Sequence, residues 1–333
     1  MIIKENYPIQ NSLKLKSNTR FFIELSETID FNKLSLFLNE KKLPVLILGE
    51  GTNLVPPVFF DGIILKPLFN SITYSPDHEL VSAGASVNWH SFVNFCIEND
   101  IHGFENLSLI PGSVGASPIQ NIGAYGQDVS NLIESVDCYD FDVNKLLKLT
   151  LSECNFSYRN SALKKSSLIV LKVNFYSNLP NILNLKYKSI DLFIKENNIN
   201  PDKISLSKMS DIVCKLRTSL LPNPRDTPNA GSFFKNPIVE LESISTKYFK
   251  LKDLIIWDHN STHVKVGAAR LIELVKNKLT PFDNVNLYKN HSLVIITNGN
   301  SSQSEVLDYA SNIQALVKDT FNIDLQIEPT VVS

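Results

Sequence analysis

The residues of this chain whose types and spacing could do chemistry fall in a few short segments. Gly49-Glu50-Gly51-Thr52-Asn53 follows an apolar run, and the stretch from Ile110 to Gly126 gathers Gly112, Gly115, Gly123 and Gly126, four of only 12 glycines. Pro111, Ser113, Ala116, Ser117, Pro118, Gln120, Asn121, Ala124 and Tyr125 fill that stretch with small or hydrogen-bonding side chains and no charge. Glycine admits positive φ and close approach of a ligand to the backbone, so a glycine-poor chain keeps it where the backbone needs it. Three polar segments follow: Tyr158-Arg159-Asn160-Ser161, Asn229 to Pro237 with Ser232 and Asn236, and Ile327-Glu328-Pro329.

The first glycine pair invites a dinucleotide fingerprint, but Leu54 occupies the last glycine position and Pro56-Pro57 forbid a helix directly behind the turn. The Rossmann reading therefore fails. Consecutive backbone N–H groups can still form an anion nest for a pyrophosphate, and a plain interstrand turn fits the same residues. The second stretch has neither helical nor strand period. A seventeen-residue irregular run leaves backbone polar groups that need partners, and a flat ligand with polar edges, such as an isoalloxazine ring, would supply them.

The elements that must position these segments are legible from periodicity. Leu43–Leu48 predicts a buried strand leading into the glycine turn, Val58–Leu65 another, and Leu80–Ala83 a third. Asn88–Asn99 sets Trp89, Phe92, Val93 and Cys96 at helical spacing. Strands are expected near Ser135–Phe141, Leu146–Leu149 and Leu168–Phe175, with helices near Asp191–Asn198 and Ser207–Thr218, the latter stopped by Pro222 and Pro224. Leu221–Pro228 looks like a linker. Beyond it, helices at Ala268–Lys276 and Ser302–Thr320 flank an apolar strand at Leu293–Thr297, and Ile323–Ile327 closes the chain.

A length of 333 residues with 43% hydrophobic and 20% charged residues suits a protein of two or three domains with a sizeable core. The 32 basic and 34 acidic residues leave a net charge of -2 without a long basic run, which argues against nucleic acid or an anionic membrane as partner. Met1–Lys14 alternates polar and apolar residues unlike a signal peptide, and no apolar run approaches the roughly 20 residues of a membrane span, so a cytoplasmic protein is expected. Cys96, Cys138, Cys154 and Cys214 are widely separated, form no metal-ligand pattern and read as buried thiols.

Taken in order, Gly-x-Gly-Thr-Asn, the Pro111–Gly126 run, Tyr-Arg-Asn-Ser, Gly231-Ser232-Phe233-Phe234-Lys235-Asn236-Pro237 and Ile327-Glu328-Pro329 resemble the bacterial UDP-N-acetylenolpyruvoylglucosamine reductases, of the type with a Tyr-bearing insertion. The resemblance spans nearly the whole chain. It implies an α+β protein with an FAD-binding fold of the vanillyl-alcohol-oxidase-like type: two flavin-binding domains, residues 1–68 (completed by about 328–333) and 69–206, and an α/β substrate-binding domain, residues 207–327. It implies FAD and NADPH as cofactors, UDP-N-acetylglucosamine enolpyruvate as substrate, a monomer, and a place in peptidoglycan precursor synthesis.

Carried over residue by residue, the family's catalytic Arg falls on Arg159, its proton-donating Ser on Ser232 and its C-terminal Glu on Glu328. Both glycine segments, Gly49 to Asn53 and Pro111 to Tyr125, become the FAD cradle, with Arg217 near the flavin. Tyr187, Asn236 and His291 become substrate contacts. In the implied chemistry, hydride from flavin N5 reaches the enolpyruvyl methylene carbon, Arg159 and Glu328 hold the developing charge, and Ser232 protonates the adjacent carbon. Three positions depart from the family pattern: Leu220 stands where a diphosphate-binding Lys is usual, Arg270 where a Trp is usual, and His291 where a Gln is usual. Nucleotide contact is therefore the least determined part of the expectation. The alternatives are another FAD-dependent sugar oxidoreductase of the same fold and a non-catalytic flavin- or nucleotide-sugar-binding protein.

Overall fold

The computed structural model describes residues 1–333, apart from the side chain of Lys165. Contacts divide the chain into two units: residues 1–7, 19–50 and 61–219 in the first, and residues 8–18, 51–60 and 220–333 in the second. Helices and strands are mixed in both, giving the α+β class expected. The expected boundaries at 68 and 206 do not coincide with the borders of these units. The helix Leu206–Leu220 lies almost wholly in the first unit, because Met209, Ile212 and Val213 pack with Ile190 and Ile194 of the helix Lys188–Glu196.

In the first unit, one sheet has the spatial order Ile2–Pro8, Asn18–Leu25, Phe59–Pro67, Val45–Ile47, the last two running parallel. Val45–Ile47 is half-buried rather than buried as expected, because it forms the edge of that sheet. Phe31 and Leu34 of the helix Phe31–Lys41 cover Ile23, Leu25, Ile63 and Leu65. A second, antiparallel sheet has the order Lys145–Thr150, Ile133–Asp140, Leu168–Tyr176, Leu80–Gly84, Ile72–Ser75.

The helix Trp89–Glu98 begins where its sequence says it should. The Asn88 side chain accepts the Ser91 N–H at 3.0 Å, which satisfies one of the amides a helix start leaves unpaired. Its apolar stripe buries Trp89, Phe92, Val93 and Cys96. Trp89, Phe92, Phe104 and Phe175 form one aromatic cluster, with Phe92 and Phe175 at 5.0 Å between ring centroids. Truncation of one of these phenylalanines to alanine should cost about 3–5 kcal/mol, since rigid neighbours refill such a space only in part.

In the second unit, one antiparallel sheet places His291–Thr297 between Asn229–Ser232 and Val285–Tyr288, and another places His263–Val266 between Ile238–Glu240 and Ile256–Asp258. The helices Ala268–Val275 and Gln303–Phe321 supply much of the core. The second of these starts in a reciprocal capping box between Ser302 and Glu305, and the chain leaves it through Asn322 at φ 58. The closing strand is not Ile323–Ile327, of which only Ile327 forms a bridge, to Phe234. It is Thr330–Val331, which pairs parallel with Leu54–Val55 and ties residues 51–60 to this unit.

Cys96, Cys138 and Cys154 are buried as expected, whereas Cys214 is half-buried. Burial pushes the Cys138 thiol up to about 12 and Cys154 to about 11, so neither thiolate forms at neutral pH. Among the described residues no helix is long and apolar enough to cross a membrane.

Candidate active site

In the first unit the long glycine-rich loop is laid against residues 85–89 by backbone hydrogen bonds. Gly112 accepts from the Trp89 amide at 2.9 Å, Val114 donates to Val87 at 2.8 Å, and Gly115 donates to Ala85 at 2.9 Å. A Cβ on Gly115 would stand 2.6 Å from the Ala85 Cβ and 2.8 Å from its Cα, so no side chain fits there. Gly49, about sixty residues earlier in sequence, approaches the same loop. A Cβ built on it would lie 3.1 Å from Ser113 Oγ and 3.4 Å from Ala116 Cβ. The two glycine segments singled out in the sequence thus meet at Gly49, against the side chains of Ser113 and Ala116.

Lys66 donates to the Gly49 carbonyl and pairs with Glu50 at 3.6 Å, bringing a cation to the start of the turn. Gly51, which belongs to the second unit, has φ 65, and a Cβ there would fall 2.2 Å from the Gln10 carbonyl oxygen. Asn53 accepts the Thr330 amide at 3.0 Å. Within the first unit, a glycine that cannot carry a Cβ (Gly115), a tightly approached one (Gly49) and a lysine beside the turn are what close approach of a flat ring and a pyrophosphate requires, so these residues fit FAD.

The end of the loop turns back on itself. Gly123–Ala124 pairs antiparallel with Gln127–Asp128, and Tyr125 and Gly126 have φ of 50 and 79. Positive φ at both central residues is the requirement of the two-residue hairpin turn whose twist matches its strands. The Tyr125 ring meets Tyr187 at 5.4 Å and 74°, which places the expected substrate tyrosine against the expected cofactor loop. Tyr187 itself is exposed and precedes the helix Lys188–Glu196.

Arg159 is delivered to this hairpin by a second tight turn. Ser157 and Asn160 exchange backbone hydrogen bonds of 3.0 and 3.2 Å, leaving Tyr158 and Arg159 at the tip, with Arg159 at φ 53. Its guanidinium donates to the Gly123 carbonyl at 2.6 Å and to the Asn121 carbonyl at 3.2 Å, and it pairs with Asp128 at 3.4 Å. Asn121, at φ 45, uses its side chain to bind the Ser157 carbonyl and the Ser130 amide. Arg159 and the glycine-rich loop are therefore one hydrogen-bonded assembly.

Arg217, on the helix Leu206–Leu220, donates from Nε to the Leu109 carbonyl at 3.2 Å, while the Leu109 amide donates to His90 Nδ1 at 3.0 Å. Leu109 has φ 58, so the N–H and the carbonyl of a residue in a strained conformation at the mouth of the loop are both held. Desolvation lowers the Arg217 pKa, against the opposing pull of Tyr125 and Cys214. Burial, helped by Arg217, lowers that of His90 and keeps its ring neutral, the form that can accept.

In the second unit, Ser232 ends the strand Asn229–Ser232 just after Gly231 at φ 70. The strand pairing is irregular between Asn229 and Ser232, and the Asn229 side chain accepts the Gly231 amide at 2.8 Å, so the irregularity is pinned. Phe233 and Phe234 are fully buried and anchor the segment that follows. The Phe233 amide donates to Leu293, and its carbonyl accepts the Glu328 amide at 2.9 Å, while the Lys235 amide donates to Gln326. Ser232 and Glu328 thereby sit on adjacent backbones.

Asn236 accepts the first amide of the helix Ala268–Val275 at 2.9 Å, acting as a cap from outside the helix. His291 opens the strand His291–Thr297; its Nδ1 accepts the Leu293 amide at 3.3 Å, and burial lowers its pKa. Leu220 is exposed at the end of its helix, and Arg270 donates from Nε to the Asp253 carbonyl at 2.8 Å. Among the expected residues, the first unit holds Gly49, Glu50, the loop from Pro111 to Tyr125, Arg159, Tyr187 and Arg217. The second holds Gly51, Thr52, Asn53, Ser232, Asn236, His291 and Glu328.

Lys66, His90 and Asp128 join these groups without having been singled out in the sequence. Asp128 had a legible signal, since it lies two residues after the Tyr125-Gly126 turn, opposite Gly123. Lys66 and His90 had none, as each touches its partner across a sheet or loop.

This fold and loop define a flavin-binding protein. The FAD binding domain family matches residues 20–147, and the C-terminal domain family of UDP-N-acetylenolpyruvoylglucosamine reductase matches residues 223–332. A UDP-N-acetylenolpyruvoylglucosamine reductase of Polynucleobacter asymbioticus is 35% identical over 331 residues, covering 97% of this chain and 94% of the relative. One from Bdellovibrio bacteriovorus is 34% identical over 325 residues, covering 96% of each. The crystal structure of the reductase from Thermus caldophilus shares the fold over 100% of both chains, with a TM-score of 0.68 at 17% identity. The chain belongs to the UDP-N-acetylenolpyruvoylglucosamine reductase family.

Proposed function

We propose that this protein reduces UDP-N-acetylglucosamine enolpyruvate to UDP-N-acetylmuramate at the expense of NADPH, with FAD as the bound cofactor, as a step of peptidoglycan precursor synthesis. The observation that supports it most is the joining of Arg159 to the glycine-rich loop through Gly123 and Asn121. A permanently charged donor fixed on the flavin-binding loop suits a reaction that builds negative charge next to a hydride acceptor.

When bound, FAD supplies the hydride, through N5, that it has taken from NADPH. Arg159 holds the charge that develops on the substrate carboxylate and adjacent carbon. Glu328, in its protonated form, donates to the same charge. Ser232 hands its proton to the carbanion carbon, an acceptor basic enough for a hydroxyl to serve as the acid. Tyr187, Asn236 and His291 contact the UDP-sugar, and Arg217 stiffens the mouth of the flavin loop.

In this reading residues 1–68 with about 328–333, and residues 69–206, serve flavin binding, and residues 207–327 serve the sugar nucleotide. The protein works as a cytoplasmic monomer. The test is anaerobic: the purified yellow protein is bleached with NADPH and mixed with the enolpyruvyl sugar. Return of the oxidised flavin absorbance with formation of the lactyl product supports the reading; reduced flavin that persists until oxygen is admitted overturns it.

A further inference from the structure

Asp128 opens the short helix Val129–Asn131, at a position where an aspartate ordinarily accepts an amide of the first turn, yet its side chain makes no such bond. Its carboxylate reaches across the Gly123–Ala124 hairpin to Arg159 Nη1 instead. The register that allows this is set locally: the Tyr125-Gly126 turn places Asp128 directly opposite Gly123. The absence of a side chain at Gly123 completes it, because a Cβ there would stand 1.8 Å from Asp128 Oδ1 and 2.9 Å from Arg159 Nη1.

We propose that Asp128 is a positioning residue for Arg159, holding the guanidinium plane on the glycine-rich loop so that it meets the substrate charge at a fixed angle. The proposal rests on the catalytic reading of Arg159 given above. The two carbonyl contacts, at 2.6 Å to Gly123 and 3.2 Å to Asn121, hold one edge of the guanidinium. They come from a single loop, and Asp128 accepts from Nη1, the nitrogen that also meets Asn121. The carboxylate adds a contact from the opposite strand of the hairpin and brings a formal counter-charge to the guanidinium. At 3.4 Å the bond is long for a hydrogen bond but within ion-pair range, and Asp128 is half exposed, so its contribution to stability is small. Its consequence is orientation, and misplacement of a catalytic group by about 1 Å can cost about 100-fold in rate.

The experiment uses the FAD-loaded enzyme and three variants, Asp128→Ala, Asp128→Asn and Asp128→Glu, with Arg159→Lys as a reference. Flavin content and melting temperature should match the parent in all three Asp128 variants. In stopped flow, flavin reduction by NADPH should be unchanged, while reoxidation by the enolpyruvyl sugar slows about 10- to 100-fold in Asp128→Ala. Asp128→Asn should fall between, and Asp128→Glu, which restores the charge, should recover to within about fivefold. Calorimetric titration of the oxidised enzyme with the sugar should show a dissociation constant that changes by less than about fivefold, since orientation matters most in the transition state.

An Asp128→Ala enzyme that reoxidises at the parent rate while Arg159→Lys is slow overturns the positioning role alone. A normal Arg159→Lys enzyme overturns the catalytic reading beneath it. If Asp128→Ala loses flavin or melts early, the isosteric Asp128→Asn decides, and parental reoxidation in it, or equal loss in both half-reactions, overturns the proposal.

Discussion

The amide of Glu328 donates a 2.9 Å hydrogen bond to the carbonyl of Phe233, the residue that follows Ser232. Two chain segments almost a hundred residues apart are thus registered by one backbone bond, and the two buried phenylalanines keep that register from slipping.

From this arrangement, Ser232→Ala should leave flavin reduction by NADPH near normal and slow reoxidation by the enolpyruvyl sugar about 100- to 10,000-fold, the usual range for loss of a general acid. Glu328→Gln keeps a hydrogen-bond donor and should impair reoxidation less than Glu328→Ala. Stopped-flow traces of the two half-reactions check both; an equal loss in each half contradicts the serine's role, and equal rates in the two glutamate variants contradict the donor's.

Arg159 has φ 53, a conformation that costs a non-glycine residue roughly 1–2 kcal/mol. Arg159→Gly removes that strain but also enlarges the unfolded ensemble by a comparable amount, so the melting temperature should fall modestly, by what the lost bonds to Gly123 and Asn121 contribute. Reoxidation should collapse by more than about 100-fold. A large loss of stability together with normal reoxidation would reverse the assignment from catalysis to structure.

Gly115→Ala tests the cradle. The new methyl would lie 2.8 Å from the Ala85 Cα and 3.0 Å from its carbonyl oxygen, both backbone atoms that cannot swing away. We expect a loss of about 1–3 kcal/mol in unfolding free energy, typical of overpacking, and protein that purifies with less flavin. Unfolding curves and the ratio of flavin to protein absorbance measure these two effects separately.

His90 ties part of the stability to pH. Its folded-state pKa lies below the ordinary 6.5, because burial and then Arg217 disfavour the charged ring. The unfolded chain therefore binds more protons than the folded one between those two values. Stability is complete above about pH 7 and declines as pH falls through 6.5 toward the folded pKa. His90→Asn retains an acceptor for the Leu109 amide and cannot titrate, so its melting temperature should fall less between pH 7.5 and 5.5 than the parent's. His291 carries the same sign of shift and keeps the residual slope above zero. An unchanged slope in His90→Asn excludes this account.

Leu220 is exposed where the family pattern has a lysine, and Arg270 stands where it has an aromatic residue. If the diphosphate is held weakly for want of a cation, Leu220→Lys should lower KM for the UDP-sugar about tenfold with little change in kcat, as expected when uniform binding is restored. If Arg270 compensates, Leu220→Lys does little and Arg270→Ala alone raises KM strongly. The Arg270 Nε is already bound to the Asp253 carbonyl, so a compensating contact must come from the rest of its guanidinium. Steady-state kinetics of the two variants separate the outcomes, and shifts below about twofold in both reject each.

Local order determined much of this protein. Helical spacing of Trp89, Phe92, Val93 and Cys96, the helix beginning near Ser302 and the glycine-rich run were legible because each depends on neighbours within a few residues. So were the motifs that carry the family resemblance. What the tertiary structure alone decided lies at long range. The half-burial of Val45–Ile47 follows from its edge position, which periodicity cannot reveal. The final strand moved from Ile323–Ile327 to Thr330–Val331 because its pairing partner is Leu54–Val55, nearly three hundred residues away. The meeting of Gly49 with Ser113 and Ala116, the clamp of His90 and Arg217 on Leu109, and the reach of Asp128 to Arg159 likewise come from backbones brought together by sheets and loops. A sequence pattern records what each residue prefers, but hydrogen-bond partners and burial are settled only when distant segments compete for the same space.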